Sequence, residues 1–116
     1  MLTGAMLGLM GQIGLDIITL TEEISETEFF ASRLTRSETL RLLQSMTKTA
    51  ANLPAEARER MPGIDWAGWT ALAKVLDSPS KHPLQIWVAI KELTPVTLRQ
   101  LNDYKKTQAK LFSIVL

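Results

Sequence analysis

Apolar residues recur at intervals of three and four along this chain, with no convincing run of strict alternation. That rhythm favours helices, because residues three and four apart share one helical face. Leu7, Met10, Ile13, Ile17, Leu20 and Ile24 form one stripe, which predicts a first helix ending near Glu26. Ser25-x-x-Glu28 has the spacing of a capping box. It predicts a short turn carrying Phe29 and Phe30, with Phe30 and Leu34 packing onto the helix that follows. Thr35-x-x-Glu38 repeats the spacing ahead of Leu40, Leu43, Met46, Thr47 and Ala50, and so predicts the start of that helix. It should stop near Asn52 or Leu53, since Pro54 disfavours helical backbone in the residue before it.

Pro54 suits the first turn of a short helix through Arg60, and Pro62-Gly63 breaks the chain again. Asp65 can cap a helix that turns Trp66, Trp69, Leu72 and Leu76 inward. Asp77-Ser78-Pro79-Ser80 is a loop signal. Pro83 can start a helix carrying Ile86, Trp87 and Ile90, and Thr94-Pro95 reads as an N-cap and N1 pair opening the last one. Leu98, Leu101, Tyr104 and Leu111 would face inward. The expectation is one all-α domain over residues 1–116, a four-to-five-helix up-and-down bundle with mostly short connections.

A chain of 116 residues, 46% apolar and 22% charged, has the balance of a globular protein. Its 13 basic and 12 acidic residues leave a net charge near +1, which gives no general attraction to nucleic acid or anionic membranes. Cysteine is absent, so disulfides and thiolate metal sites are excluded and a reducing cytoplasm is compatible. Residues 1–18 hold a single charge, Asp16. With no basic leader and no cleavage signal, they read as neither a signal peptide nor a membrane span, but as a helix buried against the bundle or a second subunit.

Catalytic candidates are sparse. One His and no Cys leave no basis for a transition-metal cluster. Gly4, Gly8, Gly11 and Gly14 lack the preceding strand that a phosphate loop requires, and read as small residues where helices approach. No cofactor or metal is expected. His82 is the one histidine, the side chain type most used for general acid–base work, and Lys81 and Lys74 are the nearest cations before it. A nucleolytic site needs a proton acceptor beside fixed positive charge. These three are the only weak catalytic candidates. Arg33, Arg36 and Arg41 cluster, as do Lys105, Lys106 and Lys110, but acids such as Glu38 and Asp103 are interspersed. Such mixtures are the pattern of solvated helix faces, so RNA binding is not the favoured reading. Trp66, Trp69 and Trp87 read as core, not as base-stacking platforms.

Between Glu28 and Leu101 the order E-F-F-A-S-R-L-T-R-S-E-T-L-R-L-L-Q-S, L-P-A-E-A-R-E-R-M-P-G-I-D-W and Q-I-W-V-A-I-K-E-L-T-P-V-T-L-R-Q-L resembles the HepT-like branch of the HEPN superfamily. The resemblance implies a small helical dimer, a ribonuclease-toxin ancestry and a minimal nucleotidyltransferase partner. The family's signature is an Arg, four to six residues, then a His, with a Tyr two places on. Walking forward from Asp65-Trp66 puts those positions near Ala73, Ser78 and Ser80, in a shortened loop. Neither Ala73 nor Ser78 can replace a guanidinium and an imidazole, and the sole Tyr, Tyr104, lies in the last helix.

Apolar excess in Met1–Leu20 and Leu111–Leu116 points to self-association. The sequence thus reads as a catalytically degenerate HepT-like interaction module, a homodimer in the cytoplasm, in a toxin–antitoxin-derived or nucleotidyltransferase-linked system. Two alternatives stand beside it. One is a ribonuclease with a rearranged site around His82. The other is a nucleotide- or substrate-binding subunit of a nucleotidyltransferase.

Overall fold

The stripe of Leu7, Met10, Ile13 and Ile17 is buried as its spacing requires, on the first of a series of helices. The structure, a computed structural model, describes residues 2–113. Its helices are α1 (Leu2–Thr21), α2 (Glu26–Ala31), α3 (Arg33–Asn52), α4 (Ala55–Glu59), α5 (Trp66–Val75), α6 (Pro83–Val88), α7 (Thr94–Thr107) and α8 (Ala109–Phe112). A 3₁₀ turn covers Pro79–Lys81 and a π-helical segment covers Ala89–Leu93. The fold is all-α, with no strand among the described residues. α1 packs along α3 and α7, α3 also meets α5, and α8 returns onto α1. The buried side chains form one contiguous cluster, from Leu7 on α1 to Leu101 on α7.

Local signals decide most boundaries. At α2 both halves of the capping box form: the Glu28 N–H donates to Ser25 Oγ (3.1 Å) and the Ser25 N–H to Glu28 Oε1 (3.0 Å). These bonds hold the Glu28 carboxyl below its ordinary range. Its stabilisation is therefore present at neutral pH and is lost as acid protonates it. Asp65 caps α5 through the Gly68 N–H (2.8 Å), and Pro83 occupies the first turn of α6. Leu53, next to Pro54, is extended and ends α3. Pro54 itself serves as the N-cap of α4, which closes at Glu59.

Three expectations are corrected. α1 ends at Thr21, short of Glu26. The Thr21 hydroxyl turns back onto the Ile17 carbonyl (2.7 Å), and Leu20 is left 37% exposed on the outer face. α3 starts earlier than Thr35. Ser32 is its cap, and the Thr35 N–H is the group that Ser32 Oγ accepts from (3.4 Å). In that register Leu34 points to solvent, 85% exposed, and does not join Phe30. The Thr94-Pro95 pair is not a clean helix start. Pro95 falls in the first turn of α7, but Thr94 is itself helical and the chain runs on from α6 without a break.

The π-helical segment explains how Pro95 is tolerated. A proline inside a helix lacks an N–H and its ring clashes with the carbonyl four residues back. Here the Thr94 N–H reaches five residues back to the Ala89 carbonyl, and the Thr94 hydroxyl donates to the same oxygen (2.8 Å). Lys91 lies within the widened turn. Its Nζ donates to the last carbonyl of α1, that of Thr21 (2.6 Å), and lies 4.9 Å from the Trp87 ring centroid. A cation at a helix C-terminus complements its dipole, so Lys91 fastens α1 to the bulge. Lys91→Met should cost about 1–2 kcal/mol, measured by urea denaturation. An unchanged midpoint would remove this role.

Two α1 glycines are there for close approach. A Cβ on Gly4 would sit 2.4 Å from the Ser113 carbonyl oxygen, and one on Gly14 would sit 2.7 Å from the Leu98 side chain. Leu111 and Phe112 pack partly against the core. The remainder of the expected apolar tail, Ile114, Val115 and Leu116, lies outside the described residues.

Candidate functional site

The weak catalytic candidates come first. His82 is half-buried between the 3₁₀ turn and α6, while Lys81 and Lys74 are exposed, Lys74 in the last turn of α5. None of the three makes a side-chain hydrogen bond or ion pair to another described residue. Ala73 is exposed and lines a shallow hollow with Gln44, Thr47 and Asp77, on the α3 side of α5. Ser78 is half-buried in the turn that follows. The positions reached by counting from Trp66 therefore offer neither an imidazole nor a guanidinium.

The sole tyrosine is structurally engaged. Tyr104 Oη accepts from the Gly63 N–H (2.8 Å), while Gln100 Nε2 donates to the Gly63 carbonyl. The two clamp the Pro62-Gly63 turn to α7. The tryptophans divide. Trp69 is 1% exposed and donates to Thr97 Oγ1 (3.0 Å), joining α5 to α7. Trp66 is half-buried and donates to the Met61 carbonyl (3.0 Å). Trp87, also half-buried, meets Phe29 at a centroid distance of 5.7 Å and carries Lys91 over its ring. All three serve packing.

The basic clusters disperse. Arg41 pairs with Glu38 through Nε (3.1 Å) and Nη2, and this pairing lowers the Glu38 carboxyl and raises the Arg41 guanidinium from their ordinary values. Lys105, Lys106 and Lys110 are exposed. Arg36 behaves differently. It is half-buried, makes no ion pair among the described residues, and donates through Nη1 to the Phe30 carbonyl near the end of α2.

Two of the surface hollows are lined mainly by apolar side chains. One, of about 390 Å³, lies between α5 and α6, with Leu72, Val75, Leu84, Val88 and Leu93 on its walls. It is apolar, and Leu84 and Val88 at its lip are 63% and 40% exposed. The other, of about 340 Å³, lies between α3 and the 79–83 turn and is lined by Phe30, Arg36, Leu40, Pro79, Ser80, Pro83 and Ile86. None of the described residues forms a His, Cys, Asp or Glu group able to hold a metal. Sequence reasoning singled out Arg36 only as one of a basic trio. That it faces the 79–83 turn is a long-range fact with no local signal.

Comparison with protein-family models, with curated proteins and with solved structures finds no match for this chain.

Proposed function

We propose that the protein is a non-catalytic, dimeric helical interaction module, a degenerate relative of the HepT-like proteins in a nucleotidyltransferase-linked or toxin–antitoxin-derived system. The observation that carries this reading is the outer face of α1. An 18-residue window of this helix has a mean hydropathy of 1.4, long and apolar enough to cross a membrane by composition, yet only 33% of it is buried within the chain. Leu2, Leu9, Leu15 and Leu20 are all exposed. Gln12, Asp16 and Thr19 share that face, so its uncovered apolar surface is the four leucines, and a second copy offers the same side chains to cover them. Sedimentation at low micromolar concentration tests the reading. A dimer supports it. A monomer that floats with lipid vesicles overturns it in favour of a membrane-facing helix.

The absence of chemistry is the second half of the proposal. In-line attack by an RNA 2′-oxygen needs a base and a cation held at one phosphate. Ala73 and Ser78 supply neither. Purified protein should leave single-stranded RNA and transfer RNA intact over hours, and its expression should not stop growth. Cleavage that His82→Ala abolishes would establish the rearranged ribonuclease instead. A third reading, a ligand-binding subunit for a nucleotidyltransferase, is favoured by the hollow beside Arg36.

A further inference from the structure

We propose that the hollow between α3 and the 79–83 turn binds a small amphiphilic anion: a flat apolar body carrying one carboxylate or phosphate. The site is separate from the outer face of α1, and the inference does not depend on self-association.

The walls set the apolar half of that description. Phe30 and Leu40 close one side, Pro79 and Pro83 the other, and Ile86, 1% exposed, lies at the base. Phe30 is held by Phe29, whose ring meets it edge-on at 5.0 Å, so this wall is fixed by packing. A volume of about 340 Å³ falls at the small end of ligand pockets. It suits a two-ring aromatic acid or a short acyl chain, and is too small for a dinucleotide.

Arg36 sets the charged half. A guanidinium presents a planar fork of donors that matches a carboxylate or phosphate. One Nη1 hydrogen is committed to the Phe30 carbonyl, which fixes the side chain in place. Its other N–H groups meet no acceptor among the described residues, although Arg36 is half-buried. None of these groups is a buried atom without a partner, so they stay open to solvent and within reach of an incoming anion. The nearby acids are otherwise engaged or lie outside the lining. Glu38 is held by Arg41 and Glu28 by the Ser25 cap, while Glu26 is exposed. Arg33 sits one turn before Arg36 on the same face of α3, and Lys81 belongs to the opposing turn. Arg36 is therefore the one charged side chain in the lining of an otherwise largely apolar hollow, which contains no acid. Ser80 adds a hydroxyl at the rim.

The test is titration of the full chain with 2-naphthoate, 2-naphthyl phosphate and neutral 2-naphthylmethanol, followed by backbone amide shifts. At least one anion should shift the amides of Phe30, Leu40, Ser80 and Ile86 saturably at one site, and the stronger of the two identifies the headgroup. Arg36→Met should weaken binding at least about tenfold. Because Arg36 also ties down Phe30, Ser80→Asp provides a second variant that leaves that bond intact. Its new negative charge should weaken the anions while sparing the alcohol. Leu84→Ser, in the α5–α6 groove, should change nothing. Equal affinity for the alcohol and the anions, shifts confined to the α5–α6 groove or α1, or no binding at millimolar concentration would each overturn the assignment.

Discussion

Trp69→Ala should destabilise the fold by about 3–5 kcal/mol, the cost of truncating a buried aromatic. Trp69 is the largest fully buried side chain, and its indole N–H donates to a hydroxyl that is itself buried, that of Thr97. The substitution removes the ring, leaves a cavity between α5 and α7, and orphans Thr97. Total stability for a domain of this size is about 5–15 kcal/mol, so the variant loses a substantial share of it. Trp69→Phe separates the two contributions. It keeps most of the buried area and loses the hydrogen bond, and should cost about 1–3 kcal/mol. Trp66 and Trp87 are only half-buried, each with one face on the core, so their Ala variants should cost less than Trp69→Ala. Urea denaturation of the four variants gives the order. If Trp69→Ala loses less than Trp87→Ala, the assignment of the core's centre is wrong.

The elements that were legible in the sequence are those written by neighbouring residues. Ser25 with Glu28, Asp65 before Trp66, and Pro54 after Leu53 each act within four residues, and each acts as its chemistry requires. The start of α3 was misplaced at Thr35: Ser32 caps the helix instead, because α2 ends immediately before it. The π-helical segment was hidden for a different reason. Thr94-Pro95 has a composition typical of a helix start, and only the continuity of α6 with α7 turns it into a widened turn. Polar groups in the core were equally silent. Thr97 and Thr94 are fully buried, yet their partners, Trp69 and the Ala89 carbonyl, become evident only once the helices pack or widen. The Arg36 hollow follows the same rule, since α3 and the 79–83 turn are distant in sequence.

Gly8→Ala should have opposite effects on the subunit and on the dimer. A helical glycine is less favourable than alanine by roughly 0.5–1 kcal/mol. Gly4 and Gly14 have intramolecular reasons to be small, but a Cβ at Gly8 or Gly11 would meet nothing within 4 Å. Inside one chain, then, Gly8→Ala relieves a cost and should raise stability. If α1 packs closely against α1 of a second copy, the added methyl meets that helix and weakens association. Gly8 is exposed on the outer face with Leu9 and Leu15, where the only charge in Leu2–Thr21 is Asp16, itself hydrogen-bonded by Gln12 (3.0 Å). Introducing charge there should have the largest effect on assembly. Leu9→Arg and Leu15→Arg replace side chains that are 49% and 52% exposed, so each should alter the stability of the isolated subunit by no more than about 0.5 kcal/mol. In a dimer buried through this face, an unpaired guanidinium costs about 3–5 kcal/mol, a loss of roughly two to four decades in affinity. Sedimentation of the three variants beside the parent should show monomers where the parent dimerises. Arginine variants that remain fully dimeric would place the interface elsewhere, with the apolar α5–α6 groove as the next surface to charge.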